Sequence, residues 1–108
     1  NHNVFNIFKK TKISDIKKII QDVEIVEKSE SHVAYDCGNC FYVKLEKGGV
    51  ISDHTHEHEE TVYLMEGEAE AIIGNDIKRI KAPAKLVIPS NVYHKFTALT
   101  DVIGLEIK

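Results

Sequence analysis

Hydrophobic and polar residues alternate along most of this chain, from Glu24 to its C-terminal end. Alternation with a period of two is typical of β-strands that bury one face. Breaks in the pattern fall at turn-forming residues such as Gly74-Asn75-Asp76, which favour tight hairpins. The predicted strands are Glu24–Lys28, His32–Asp36, Phe41–Glu46, Val50–His56, Thr61–Glu66, Ala69–Ile73, Ile77–Lys81, Lys85–Ile88, His94–Leu99 and Val102–Ile107. Many short strands with little room for crossover helices predict an antiparallel sandwich or barrel.

The N-terminal part of the chain has a different period. Apolar residues recur there at spacings of three and four, which predicts one short amphipathic helix containing Ile13, Ile16, Ile20 and Val23. Ser14 is the expected N-cap of this helix, and Val4 to Phe8 is an apolar segment expected to form a strand. We therefore expect residues 1–30 to form a strand and a helix that pack on a β-barrel built from residues 31–108.

Composition and charge narrow the class of protein. A chain of 108 residues with 43% hydrophobic and 29% charged residues is typical of one globular domain. No apolar run approaches the roughly 20 residues that a membrane span needs, and no signal-peptide pattern is present. Residues 53–70 contain seven acidic side chains and no Lys or Arg, a distribution that suits a cation and repels phosphate backbones. We expect no membrane partner and no nucleic-acid partner.

A C-x-x-C sequence occurs at Cys37-Gly38-Asn39-Cys40. Such a pair can be redox-active or can form half of a zinc site. The cluster of Asp36, Gly38 and Asn39 favours a turn between two strands, so the preferred interpretation is a hairpin flanked by two incidental thiols. Two cysteines in a chain without an export signal fit a reducing cytosol, and we expect a cytoplasmic protein.

The residues with the clearest chemistry form the segment His54-Thr55-His56-Glu57-His58-Glu59-Glu60. Side chains at i and i+2 of a strand share a face, so two imidazoles spaced in this way can bind one ion. On the following strand Glu60 would share a face with Val62 and Leu64, and downstream His94 would share a face with Phe96 and Ala98. Imidazoles combined with one carboxylate suit Fe, Mn, Co, Ni, Cu or Zn, whereas Ca²⁺ and Mg²⁺ prefer oxygen ligands.

These residues carry a resemblance to the cupin superfamily. The first motif of that family is Gly, five residues, His-x-His, three or four residues, Glu, six residues and Gly. The corresponding positions here are Gly48, His54, His56, Glu60 and Gly67. Pro89 and His94 match the second motif, but Pro83, Asn91 and Ala98 stand where Gly, Gly and Asn are usual. Asn91 is a mild departure, because Asn tolerates the left-handed turn conformation that Gly supplies.

The resemblance implies an all-β fold, namely a double-stranded β-helix of the jelly-roll type, accompanied here by the one short N-terminal α-helix. It also implies one divalent transition metal per chain, held by His54, His56, Glu60 and His94. His58 is expected at the rim of the site, in the turn before Glu60, and Glu57 and Glu59 are expected to face solvent. Tyr42, Tyr63, Tyr93 and Phe96 are the aromatic residues expected nearest to the barrel interior or its mouth.

Three functions remain open for such a site. The first is a small metalloenzyme of the dioxygenase, isomerase or decarboxylase type, acting on a small organic molecule, for which the sequence names no catalytic base. The second is a non-catalytic module that binds or senses a metal or a small ligand. The third is a structural role, in which the metal only stabilises the barrel. We favour the enzyme. We also expect a homodimer, because exposed strand edges need to be covered and family members commonly pair through their sheets.

Overall fold

The part of the chain that the structure describes consists of β-strands joined by short connections. A computed structural model describes residues 22–54 and 57–108, with the side chains of residues 52–54 left outside the description. The strands are β1 (Glu24–Lys28), β2 (His32–Asp36), β3 (Cys40–Leu45), β4 (Val50–His54), β5 (Glu60–Glu66), β6 (Glu68–Ile73), β7 (Asp76–Lys81), β8 (Ala84–Ile88), β9 (His94–Ala98) and β10 (Val102–Ile107). Each corresponds to one predicted strand, so the alternating pattern located these elements correctly.

The strands form two antiparallel sheets. The six-stranded sheet has the order β1-β2-β3-β10-β5-β8, and the four-stranded sheet has the order β4-β9-β6-β7. The predicted all-β class with a double sheet of the jelly-roll type is therefore confirmed.

The predicted N-terminal elements fall mostly outside the described residues. The strand at Val4 to Phe8 lies wholly within residues 1–21, and so does all of the predicted helix except its last two positions. Those positions, Asp22 and Val23, are not helical and precede β1 directly. Residues 22–54 and 57–108 contain no helix, and hence none with the length and apolar character that crossing a membrane requires.

The hydrophobic core lies between the two sheets. Its buried members come from five different strands and are Leu45, Leu64, Ala69, Ala98 and Val102. Full burial of a Leu side chain contributes on the order of 2 kcal/mol to stability. The small side chains of Ala69 and Ala98, which are register partners on β6 and β9, leave room for the larger residues of the opposite sheet.

Gly67 forms the connection through which the chain passes from the six-stranded sheet to the four-stranded sheet. It is the one residue between β5 and β6, and its φ is +87°. A β-carbon at this position would overlap the Asp101 carbonyl oxygen and would lie 2.7 Å from Thr100 Oγ1. Both the left-handed conformation and the close approach require glycine here.

Ala98 occupies the position where the second cupin motif usually has Asn, and the structure shows what the residue does there. Its carbonyl accepts a hydrogen bond from Gly48 N–H at 2.8 Å, and its own N–H donates to the Gly49 carbonyl at 2.9 Å. The side chain is almost completely buried. Ala98 thus joins the turn before β4 to the end of β9 through its backbone, while its methyl group packs in the core.

Candidate metal and ligand site

A cavity of about 70 Å³ lies between the two sheets. Apolar side chains from both sheets form most of its wall, including Leu64 and Phe96. Three polar residues, Glu60, His94 and Glu106, also line it. A mostly apolar cavity with a few converging polar groups is typical of a small-molecule site.

Glu60 is the first residue of β5 and is one of two buried polar or charged residues in the described part of the chain, with 7% of its surface exposed. Val62 and Leu64 line the same cavity. The predicted common face of these three residues is therefore confirmed. Burying a carboxylate costs free energy unless partners compensate for the lost water, so Glu60 holds a position that packing alone does not explain.

His94 is the first residue of β9 and is the second buried polar residue, only 1% exposed. Its Nδ1 lies 3.1 Å from the Val92 carbonyl oxygen. Because a carbonyl oxygen only accepts, Nδ1 carries the proton in this contact, which leaves Nε2 of a neutral ring with its lone pair. This is the tautomer of a histidine that binds a metal through Nε2 while a backbone carbonyl orients the ring.

The turn between β8 and β9 brings His94 to this position. Asn91 has a φ of 60°, as predicted for the residue that replaces glycine in the second motif. Two residues later, the Tyr93 carbonyl accepts a hydrogen bond from Gly74 N–H at 2.7 Å, which attaches the turn to the β6–β7 hairpin. The chain is thereby fixed immediately before His94.

His54 is the register partner of His94 across the β4–β9 pair. The register is irregular between Ile51 and His54, because Ile51 pairs with Phe96 and three steps along β4 then match two steps along β9. Regular pairing would have placed Asp53 opposite His94. A bulge of this kind changes which face a residue occupies and is common beside functional sites.

The four predicted metal ligands are described to different extents. Glu60 and His94 line one cavity, His54 is described through its backbone register, and His56 lies outside the described residues. Among the side chains that the structure describes, no group of three His, Cys, Asp or Glu residues is close enough to bind a metal ion. The complete ligand set stays a prediction.

Residues 57–59, which precede β5, lie where the sequence predicted them. Glu57 and His58 lie in a bend, and Glu57, His58 and Glu59 are all exposed. The placement of His58 in the turn before Glu60 is thus confirmed, as is the exposure of the two glutamates. His58 is not among the described residues that line the cavity.

Glu106 is a cavity residue that the sequence analysis missed. It lies on β10, opposite Phe41 of β3 and opposite Val62 of β5. Val102, Gly104 and Leu105 precede it on β10 and also line the cavity. No alternating apolar series marked Glu106 in the sequence, because Gly104 stands two positions before it.

Of the aromatic residues expected near the interior, Phe96 lines the cavity, and its ring centroid lies 6.1 Å from that of His94. For Tyr42 and Tyr63 the expectation was wrong. Their neighbours Val43 and Val62 occupy the cavity face, so strand alternation directs the tyrosines to the other face. There Tyr42 packs against Tyr35, and Lys85 Nζ lies over the Tyr63 ring. Tyr93 is largely exposed.

The C-x-x-C sequence forms the predicted hairpin turn. Cys37 N–H donates to the Cys40 carbonyl at 2.9 Å, and both thiols are free. Asp36 Oδ1 accepts hydrogen bonds from Gly38 N–H and from Lys108 Nζ. The bond from Lys108, followed by that from Gly38, lowers the pKa of Asp36 below its ordinary value. These contacts join the hairpin to the C-terminal end of the described chain.

A second polar cluster lies on the outer part of the four-stranded sheet. Arg79 on β7 donates from Nε, at 2.9 Å, and from Nη2 to the same oxygen of Glu68 on β6. These hydrogen bonds, with the positive charge of Arg79, lower the pKa of the Glu68 carboxyl below its ordinary value. Arg79 is the only arginine in the sequence. It pairs with Glu68 and is not among the described residues that line the cavity.

Comparison with models of known protein families shows which family the chain belongs to. The family model described as the Cupin domain matches residues 41–107, which is more than half of the 108-residue sequence. The protein therefore belongs to the cupin family. The match includes the turn before β4, the segment around His54 and every residue that lines the cavity.

Solved structures support the same fold. An RmlC-like cupin from Shewanella frigidimarina is 23% identical, with a TM-score of 0.66 over 79% of this chain and 81% of its own. KdgF from Halomonas sp. is 24% identical, with a TM-score of 0.56 over 79% of this chain and 77% of its own. Identities at this level establish a shared fold and nothing more specific.

A larger protein contains the same fold as one part. A variant of salicylate 1,2-dioxygenase from Pseudoaminobacter salicylatoxidans, in complex with gentisate, is 14% identical. The TM-score is 0.59 over 70% of this chain and 19% of the dioxygenase, so the present chain corresponds to about a fifth of that protein. A search of curated proteins gave no match.

Proposed function

We propose that the protein binds one divalent transition metal per chain through His54, His56, Glu60 and His94. We further propose that it uses this centre as a small metalloenzyme acting on a small organic molecule. The observation that carries the proposal is the convergence of Glu60 and His94, both buried and drawn from different sheets, on one cavity. The register of β4 and β9 supports it, because His54 is set directly opposite His94.

The donor set fits a transition metal. One carboxylate and several neutral imidazoles suit Fe, Mn, Co, Ni, Cu or Zn. When bound, such an ion supplies a Lewis acid at the cavity and, in the case of Fe(II), a centre for oxygen chemistry.

Residues of the chain orient the His94 ring and provide an apolar wall around the site. The Val92 carbonyl holds the His94 ring in the tautomer that leaves Nε2 as the acceptor nitrogen. Val62, Leu64 and Phe96 line the cavity beside the polar groups. Their apolar surface excludes water, and electrostatic interactions between the site and a bound molecule are stronger there than in bulk solvent.

The metal proposal is tested by elemental analysis of protein purified without an affinity metal column. We expect about one transition-metal ion per chain in the wild type and its loss from the His54→Ala, His56→Ala double variant. His32→Ala is the control, because this half-buried histidine contacts Glu27 on β1 and does not line the cavity. Stoichiometric metal in the double variant, or a metal-free wild type, would contradict the proposal.

A non-catalytic protein that binds or senses a metal or small ligand is the alternative. The two functions differ in turnover, since a binding protein is stabilised by its ligand without consuming it. The fold is shared with a dioxygenase, and dioxygenation, isomerisation and decarboxylation are the proposed reaction types. Incubation of the metal-loaded protein with a panel of small organic molecules, followed by NMR and oxygen uptake, distinguishes turnover from binding.

We also propose that the protein is a cytoplasmic homodimer. Among the described strands, β1 is at the edge of the six-stranded sheet, and all five of its residues are exposed, including Ile25 and Val26. An exposed edge with apolar side chains is a surface on which a second copy can pair. Sedimentation analysis should show a dimer that Val26→Lys weakens, whereas Val87→Lys on the opposite edge strand β8 should not.

The free thiols of Cys37 and Cys40 fit a reducing compartment.

A further inference from the structure

Cys37 and Cys40 lie opposite each other across the turn between β2 and β3. The register of these strands pairs Asp36 with Phe41. The Cys37 N–H then donates to the Cys40 carbonyl at 2.9 Å, so the two cysteines form the next pair along the hairpin. Two residues close the turn between them. The first of these, Gly38, has a φ of +92°, which is the left-handed conformation that tight hairpins favour for glycine at this position.

The contact between Tyr35 and Tyr42 shows that partners on these two strands lie side by side on one face. The two tyrosines are register partners, and their ring centroids are 6.1 Å apart. Cys37 and Cys40 are each two positions from one of them, and side chains two positions apart in a strand share a face. Hydrogen-bonded partners in an antiparallel pair have Cα atoms about 5.5 Å apart, and disulfides join Cα atoms about 4.4–6.8 Å apart. The backbone of the turn therefore allows a disulfide between the two cysteines.

The two thiols are both free, but they differ in exposure. Cys37 is exposed, whereas Cys40 is half-buried. A thiolate must reach a sulfur of the reagent in order to attack it, so a disulfide in solution has readier access to Cys37 than to Cys40. In such a pair the exposed thiol reacts first, and the neighbouring thiol then displaces the reagent from it.

The short turn favours a reversible bond over a permanent structural cross-link. The stabilisation that a disulfide gives increases with the length of the loop it closes, and here only two residues lie between the cysteines. The turn is already held without a disulfide, by the Cys37–Cys40 hydrogen bond and by that from Gly38 N–H to Asp36 Oδ1 at 2.8 Å. Exposed disulfides are also those that are reduced more readily.

We infer that Cys37 and Cys40 are a modification site, namely a dithiol that small disulfides of the glutathione type oxidise reversibly to an intramolecular disulfide. The Cys37 thiolate attacks one sulfur of the reagent, which forms a mixed disulfide and releases one reduced thiol. The Cys40 thiolate then attacks the Cys37 sulfur and releases the second. The protein loses two electrons and two protons, and the reagent gains them. Neither cysteine is among the described residues that line the cavity, so the inference does not depend on the proposed metal centre.

Incubation of the reduced protein with oxidised glutathione under nitrogen tests the inference, with intact-mass spectrometry of the products. We expect the wild type to lose about 2 Da, the mass of two hydrogen atoms, without forming a covalent dimer. Excess reduced glutathione should restore the starting mass. The variants are Cys40→Ser and Cys37→Ser, each of which keeps one of the two thiols.

Cys40→Ser should stop at a stable glutathione adduct on Cys37, because no second thiol can displace the reagent. Cys37→Ser should react at least about tenfold more slowly, because Cys40 is half-buried. A stable adduct on the wild type would overturn the inference, as would two thiols that stay reduced, a disulfide-linked dimer or a bond that excess reduced glutathione does not open. The wild-type result holds even if a variant fails to fold.

Discussion

His54 lies directly across the β4–β9 strand pair from His94, and a bulge in β4 is what brings the two into register. Ile51 and His54 are separated by an odd number of positions, so regular alternation would direct them to opposite faces of the sheet. The bulge allows Ile51 to line the cavity while His54 is set opposite a buried cavity histidine. Bulges are frequent beside functional residues. We therefore regard this bulge as part of the candidate site.

Substitution of Glu60 tests whether its carboxylate is a metal ligand. Glu60→Gln should weaken metal affinity by more than about a hundredfold, because changing even the partners that orient a ligand costs about 10- to 100-fold. Glu59→Gln is the matched control, since Glu59 is the adjacent residue and is exposed. Competition with a chromophoric chelator measures both affinities. Equal losses in the two variants would contradict the assignment.

The tautomer of His94 can be observed directly. The contact with the Val92 carbonyl requires the proton on Nδ1, so long-range ¹H–¹⁵N correlation spectra of metal-free protein at alkaline pH should show a protonated Nδ1 and an unprotonated Nε2. The half-buried His32, whose Nδ1 lies 3.6 Å from Glu27 Oε1 and which does not line the cavity, serves as the reference ring. A protonated Nε2 on neutral His94 would mean that the ring is not arranged for a metal.

Two glycines of the first motif should differ in their tolerance of a side chain. Gly48→Ala places a β-carbon where no described atom lies within 4 Å, and it should cost about 1–2 kcal/mol for the left-handed conformation alone. Gly67→Ala has a similar conformational cost, and in addition its β-carbon overlaps the Asp101 carbonyl, which should add about 1–3 kcal/mol. Urea denaturation measures the free energy of unfolding of both variants. Equal destabilisation would show that Gly67 does not lie as close to the Asp101 carbonyl as described.

The ion pair of Arg79 with Glu68 predicts a pH effect. Removing the guanidinium with Arg79→Gln should raise the pKa of Glu68 toward its ordinary value, as measured by ¹³C NMR titration of the carboxyl carbon. Because the folded-state pKa is lowered, the stabilisation is present above the unfolded-state pKa and is lost as the pH falls through the folded-state pKa. Acid should therefore destabilise the wild type more than Arg79→Gln.

The control for this titration is Lys81→Gln. Lys81 is the register partner of Glu68 and makes the smallest contribution to the lowered pKa. Its removal should shift the titration of Glu68 less than removal of Arg79 does. If the lysine variant had the larger effect, the hydrogen bonds from Arg79 would not be the main cause.

Local alternation was sufficient to locate the strands but not to arrange them. The bounds predicted for β1, β2 and β10 agree with the structure residue by residue, because polar or turn-forming residues such as Ser29, Ser31 and Asp101 lie beside these short apolar-rich segments. The position of β10 between β3 and β5 depends on contacts between distant parts of the chain. Single-strand periodicity carries no information on such pairing.

The candidate site was only partly predictable for related reasons. Glu60 and His94 were assigned to the site because they match the cupin motifs, and each also begins a strand whose following alternate residues are apolar. Glu106 was missed, because Gly104 breaks the apolar series before it and its place at the cavity depends on the pairing of β10 with β5. The bulge before His54 could not be predicted, since nothing in the residues between Ile51 and His54 distinguishes a regular strand from an irregular one.

The tight closure at Gly67 lies at the opposite end of β5 from Glu60. Gly67 follows Glu60 by seven positions, which in a strand corresponds to roughly 23 Å. Positions 57–59, which lead into Glu60 and are exposed, can therefore be randomised in a library without loosening the joint at Gly67. Such a library would vary the residues beside Glu60 on an unchanged framework.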